Sequence, residues 1–233
     1  MQNPLIISGE NLTIDDVVAV SEGRTVEIHP DAVPKMRRSR EAVERLVADG
    51  RIAYGITTGF GRFKDKVIPP DHVAQLQMNL VRSHAAGTGE ELDEATVRAM
   101  LVIRANTLAM GYSGIRPSVV QLLVDMVNKG VHPCIPSRGS LGASGDLAPL
   151  AHMTLVLIGE GEALCHGQRL SGTEALQQAG LMPVTLSAKE GLALTNGTTL
   201  MAGLGALLVR RASNLARTAD ISAAMTLEAL FGT

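Results

Sequence analysis

Tryptophan is absent from these 233 residues, and two tyrosines and three phenylalanines are the whole aromatic complement, 2% of the chain. A core for a chain of this length must therefore be aliphatic, and the 45% apolar content supplies it, mainly through Leu, Val and Ala. An excess of charge is missing too. With 21 Lys and Arg against 23 Asp and Glu the formal net charge is −2, which leaves no basic stripe for nucleic acid or an anionic membrane. Cysteine is nearly absent. Cys134 and Cys165 are too few and too far apart in sequence for a disulfide framework or a CxxC zinc or redox site, so a reducing, cytoplasmic compartment is the simpler expectation. The opening MQNPLIISGE lacks the basic and long apolar regions of a signal peptide. The longest apolar run, Gly197 to Val209, is too short to cross a bilayer, so the expectation is a soluble, non-exported chain.

What is present is mostly helical patterning. LIIS (5–8) and TVEIH (25–29) read as short strands around TIDDVVAVSEG, where Thr13 can cap a helix with Asp15 and Asp16 in its first turn. Helices are expected over 31–48, ended by Gly50; 71–83, entered through Pro69 and Pro70; 93–110, capped by Asp93 and stopped by Gly111; and 117–129, with Pro117 in its first turn and Gly130 beyond it. Residues 160–171 read as a hairpin or a loop with weak strands. Ser187 and Glu190 have the spacing of a capping box, and a Leu/Ala-rich helical pattern runs from about Thr198 to Leu230. A long apolar helix with no polar continuation leaves a face that a partner or further sequence must cover.

The stretch GSLGASGDLAP (139–149) places small, flexible residues directly before an apolar helix. Ala143-Ser144-Gly145 has the residue types for an internal cyclisation, in which the Gly145 amide nitrogen attacks the Ala143 carbonyl and Ser144 loses its hydroxyl to become a dehydroalanine. Glycine leaves that nitrogen unhindered and lets the backbone bend into a conformation other residues resist. Asp146 can assist proton movement, and Pro149 fits a helix N-terminal turn whose dipole favours electron density arriving on an electrophile. On the tripeptide alone, a helix-entry loop is the stronger reading.

The longer string GSLGASGDLAPLAH resembles the signature of the aromatic amino acid ammonia-lyase and aminomutase family. YGITTGFG (54–61) resembles that family's mobile tyrosine loop, and GLALTNGTT (191–199) its Leu-Asn-Gly segment, both in the family's order. The resemblance covers essentially the whole chain. It implies that Ala143, Ser144 and Gly145 form 4-methylidene-imidazol-5-one (MIO), that Tyr54 is the acid/base tyrosine, and that Asn196 lies near the ring and the substrate carboxylate. Without it, Tyr54 is a turn tyrosine and Asn196 a helix cap. Gly55, Gly59 and Gly61 lack the G-x-G-x-x-G spacing, so no nucleotide is expected, and the histidines show no metal-ligand spacing, so no metal is expected either.

Ser83-His84 resembles the Ser-His pair of the family's histidine-specific members, in which the imidazole contacts the substrate imidazole. An imidazole facing a phenyl ring would keep an unpaired polar group, so the implied substrate is L-histidine, deaminated to urocanate and ammonia. His152 reads as a structural hydrogen-bonding residue. Thr57 stands where many relatives carry Asn. The expected fold is mainly α with a few short strands: an N-terminal MIO-forming domain over 1–196, then the start of a central helical bundle over 197–233. Family members are longer than this chain and tetrameric, and the resemblance implies that it is an N-terminal portion with further substrate-holding residues beyond it. An MIO aminomutase, a phenylalanine or tyrosine lyase, and a non-catalytic module that never forms the ring remain as alternatives.

Overall fold

The computed structural model describes residues 3–141 and 145–232. Strands β1 (Leu5–Ile7) and β2 (Val26–Ile28) pair in parallel through the crossover helix α1 (Ile14–Ser21). Thr13 starts α1 as expected: its hydroxyl accepts the Asp16 amide while the Asp16 carboxylate accepts the Thr13 amide, each at 3.2 Å. Next come α2 (Ala32–Ala48), α3 (Val73–His84), β3 (Thr88–Glu91), α4 (Glu94–Ala109) and α5 (Pro117–Lys129). The four sequence-expected helices thus stand within two residues of their expected bounds. Local signals account for this, since Gly111 (φ +80°) and Gly130 (φ +69°) take the left-handed conformation that ends a helix.

The second half contains β4 (Val131–Pro133), β5 (Pro136–Arg138), α6 (Leu147–Leu157), β6 (Glu162–Cys165), β7 (Gln168–Ser171), α7 (Gly172–Gln178), α8 (Glu190–Thr195) and α9 (Thr199–Ala229). β6 and β7 form the hairpin, turning on His166 and Gly167, both at positive φ, and β4 joins them antiparallel. The antiparallel β3–β5 pair joins segments more than 40 residues apart and had no local signal.

α4 is the central strut, packed by α1, α5 and α9. Its buried residues include Val97, Ala99, Met100, Leu101, Val102, Ala105 and Leu108, so it is apolar on every side, as a core helix must be. It also carries two buried arginines. Arg98 donates to the Val20 and Val127 carbonyls at 2.7 and 2.8 Å, closing the C-terminal turns of α1 and α5 with a cation.

The expected capping box at Ser187 and Glu190 forms only in half. Glu190 accepts the Ser187 amide at 2.8 Å, but α8 begins at Glu190 itself, after Lys189 at φ +70°, with no side-chain cap. The reason is a distant partner. Glu190 is fully buried, and its oxygens accept Arg116 Nε at 2.8 Å, Arg116 Nη2 at 2.6 Å and the Arg116 amide at 3.0 Å. A buried carboxylate must be paired in this way, and that demand overrides the local cap.

α9 divides in two. Thr199, Leu200, Gly203, Ala206 and Leu207 are buried, whereas every described residue from Arg211 onward is exposed. The α8–α9 stretch holds an 18-residue window of mean hydropathy 1.5, long and apolar enough to cross a membrane, which the shorter Gly197–Val209 run does not suggest. Of that window 44% is buried inside the fold.

Removing the Glu190 carboxylate leaves Arg116 without its counter-charge, while Arg40 keeps Glu44 at 2.8 Å. Glu190→Ala is expected to lower stability by about 3 kcal/mol, the lower end for a broken buried pair because Arg116 reaches solvent. Arg169→Ala, in an exposed ion pair of the hairpin, is expected to cost less than about 1 kcal/mol. Denaturant midpoints of the two variants check the contrast.

Candidate active site

The ring-forming string begins on the strand side and ends on a helix. Ser140, Leu141, Gly145 and Asp146 are described; Ala143 and Ser144, with Gly142, lie outside the described residues. The Leu141 amide donates to the Gly145 carbonyl at 2.5 Å, tying the two ends of the loop together. Gly145 has φ +83°, and a Cβ there would lie 3.1 Å from Met201 Cε, so conformation and packing both call for glycine.

Asp146 organises the segment. It has no exposed surface; Oδ1 accepts the Ser140 hydroxyl at 2.8 Å and Oδ2 accepts the Met201 amide at 3.0 Å. Met201 lies in the first turn of α9, so the carboxylate satisfies an orphan amide of that helix while Asp146 itself stands at the start of α6. Two helix N-termini therefore converge on the Gly145–Asp146 segment, and their dipoles favour negative charge there. The Asp146 amide also donates to the Gly197 carbonyl at 3.3 Å.

That bond brings the Asn196–Gly197 segment beside Gly145. Asn196 ends α8, with an exposed side chain at the break before α9. Its carbonyl accepts Arg104 Nη2 at 3.0 Å, and the same nitrogen donates to the Ala193 carbonyl. Arg104 is 3% exposed, and burial brings its pKa down to about 10. It remains a cation at neutral pH, and it faces the carbonyl end of α8, where a cation is favoured.

Tyr54 lies on a loop organised by its own threonines. The Thr57 hydroxyl donates to the Arg51 carbonyl at 2.7 Å and accepts the Ala53 amide at 2.9 Å; Thr58 bridges to Val67. Thr57 thus shapes the loop. Gly55 (φ +70°) sits where a Cβ would come 2.6 Å from Leu192 Cδ2, which presses the loop onto α8. Tyr54 is 57% exposed, packs edge to face on Phe60 with ring centres 6.1 Å apart, and accepts the Gly61 amide on its hydroxyl at 3.5 Å.

His84 ends α3 and is half-buried. Its Nδ1 is 2.9 Å from the Leu80 carbonyl and 3.0 Å from the Ser83 hydroxyl. A carbonyl only accepts, so Nδ1 carries the proton in the neutral ring and Nε2 is left as the acceptor. His84, Ser83, Leu80, Phe60 and Phe63 line one cavity of about 400 Å³ between α3 and the tyrosine loop. His152 on α6 accepts the Gly87 amide on Nε2 at 3.1 Å, fixing the chain just after His84.

The structure joins Asp146, next to Gly145, to the Gly197 carbonyl and places His84 and the tyrosine loop around one cavity. Tyr54 itself does not line that cavity; its hydroxyl is directed within its own loop. The sequence reading missed Arg104. A lone charge inside the apolar run AMLVIRANTLAM was the signal that could have found it. No cluster of three or more metal-ligating side chains occurs among the described residues.

The fold is predominantly helical, with the Gly145–Asp146 segment at two helix N-termini, and this is the class of molecule that the site defines. Residues 12–233 match the aromatic amino acid lyase family, and the chain belongs to it. It is 58% identical over 98% of its length to the histidine ammonia-lyase of Gloeobacter violaceus and 53% identical over 97% to that of Alkaliphilus metalliredigens, covering 45% of each. Among solved structures it resembles histidine ammonia-lyase from Trypanosoma cruzi (TM-score 0.91, 41% identity, 99% of this chain and 45% of that one). It is as close in fold to tyrosine aminomutase from Streptomyces globisporus (TM-score 0.91, 40% identity, 97% and 43%). The chain therefore spans about half the length of the relatives it matches.

Burial holds the pKa of His152 below the ordinary value of 6.5, and burial foremost does the same for His132 beside Arg98. Between the lowered and ordinary values the unfolded chain binds more protons than the folded one, so stability falls as pH drops through 6.5 and below. Thermal melts between pH 7.5 and 5.5 are expected to show this fall. His152→Gln, which keeps an acceptor for the Gly87 amide and cannot titrate, is expected to reduce it, with the part due to His132 remaining.

Proposed function

We propose that this chain supplies the ring-forming portion of a histidine ammonia-lyase, which converts L-histidine to urocanate and ammonia through an MIO group made from Ala143, Ser144 and Gly145. The observation that carries the reading is the buried Asp146 carboxylate, which gathers Ser140, the start of α9 and the Gly145 backbone into one braced segment. Gly145 at φ +83° under Met201 fits a backbone that must bend sharply for its amide nitrogen to approach the Ala143 carbonyl. MIO supplies an electrophilic methylidene carbon and an electron sink.

The chain's own groups do the rest. The α6 and α9 dipoles favour the electron density that gathers near Gly145. Tyr54 Oη takes the β-proton of the substrate, which requires its flexible loop to carry it from its present bond with Gly61 toward Gly145. The Asn196 carboxamide donates to the substrate carboxylate. His84 Nε2, kept as an acceptor by the Leu80 carbonyl, accepts an imidazole N–H of histidine, and the identity of the relatives supports that substrate. In this reading residues 1–196 form the MIO-forming domain, 197–233 enter a helical bundle, and the whole enzyme is a cytoplasmic homotetramer.

The resemblance to tyrosine aminomutase keeps a second reading: an aminomutase would release a β-amino acid in place of urocanate. A chain that keeps the fold without the ring is the third.

Intact mass checks the ring. The purified chain is expected to be lighter than its sequence by two waters, with the loss mapped to residues 139–153; an unmodified mass supports the non-catalytic reading. Tyr54→Phe is expected to carry the same mass loss and, in the active assembly, to lose about 10²- to 10⁴-fold in turnover, the range of a general base.

His84→Phe is expected to lower turnover of histidine by at least about tenfold more than that of phenylalanine. Equal losses on the two substrates would remove His84 from substrate selection.

A further inference from the structure

Two ions of opposite sign are buried around the Asn196–Gly197 segment, and neither belongs to an ion pair among the described residues. Asp146 meets it through its amide, which donates to the Gly197 carbonyl. Arg104 meets it through Nη2, which donates to the Asn196 carbonyl at 3.0 Å and to the Ala193 carbonyl. Arg104 Nε is buried with no hydrogen-bond partner among the described residues. A Cβ on Gly197 would lie 2.6 Å from Arg104 Nη1, so the segment lies against the guanidinium with no space between. A buried cation with an unsatisfied donor costs stability, and the packing of α4 needs only an apolar side chain at this position. Its charge and fork instead hold the end of α8, where the chain must stop one helix, pass Asn196 and start α9 within three residues.

We propose that Arg104 is a positioning residue for the ring-forming site. It locks the carbonyls of Ala193 and Asn196, and through Gly197 it fixes the Asp146 backbone and the first turn of α9 beside Gly145. Among the described residues Arg104 has no hydrogen bond to Gly145, and in the proposed function it does not touch the substrate; it acts through Asn196 and Gly197. The link to ring formation rests on the proposed function, whereas the link to the backbone of 193–201 does not.

Two variants approach the contact from opposite sides. Arg104→Lys keeps the charge and removes the planar fork. Gly197→Ala keeps Arg104 and displaces it with a methyl group, at a position whose backbone φ alanine tolerates. Hydrogen exchange of the whole chain reads the effect at the amides of Asn196, Met201 and Ala202, which are bonded to Leu192, Asp146 and Thr198. Both variants are expected to raise exchange there by about tenfold with the α5 amides unchanged. Unchanged exchange at 196–202 overturns the proposal, and so does a uniform rise across the chain, which would make Arg104 an ordinary core residue. Mass spectrometry during refolding separates this from the function. If the wild type loses two waters, both variants are expected to lose them about tenfold more slowly, and an equal rate removes the link to ring formation. If the wild type stays unmodified, the ring-forming reading fails, while the exchange data still decide the role of Arg104 on the backbone.

Discussion

A carboxylate without exposed surface is the constraint on which the site depends. Asp146 cannot be buried as an anion unless donors surround it, and the fold supplies the Ser140 hydroxyl on one oxygen and the Met201 amide on the other. Meeting that demand fixes three things together: the end of the loop before α6, the start of α9, and the backbone of Gly145 between them. The helix dipoles that stabilise the carboxylate are the same ones that would favour negative charge on an electrophile a residue away. In the proposed function, structural need and chemical use therefore coincide at one residue.

Buried charge serves a similar purpose elsewhere. Arg98 and Arg104 project from one apolar helix, and each ends on backbone carbonyls, not on a carboxylate. Helix C-termini leave carbonyls unsatisfied, and an arginine fork brings several donors and a positive charge to them at once. In this way α4 terminates three other helices: α1 and α5 through Arg98, and α8 through Arg104. With so few aromatic rings available, the core gains its directional contacts from these forks.

Much of the fold was legible in the sequence because its signals are local. Thr13 and Asp16, Pro117, Gly111 and Gly130 lie within or next to the helices they bound, so their spacing alone placed α1, α4 and α5. Ser187–Glu190 misled because the partner that decides the conformation of Glu190, Arg116, is 74 residues away. The β3–β5 pairing was invisible for the same reason. At the site, the longer glycine-serine string carried the resemblance to the family that the comparisons show, but nothing local showed that Asp146 would cap α9 or that Arg104 would reach Asn196. Tyr54 was legible as a residue and not as a position, since its hydroxyl bonds within its own loop.

The two parts of α9 show how far the site depends on the rest of the chain. Its buried residues, Thr199 to Leu207, contact α4 and α1, and Met201 within them meets Asp146 and Gly145. Beyond Arg211 every described residue is exposed, yet the helix continues for several turns in a sequence rich in Ala, whose backbone favours a helix without tertiary help. Leu215, Ile221, Met225 and Leu227 stay exposed along it. Among the described residues, the geometry around Gly145 is thus set by the packed turns of α9, and the exposed turns are linked to it through the helix that they extend.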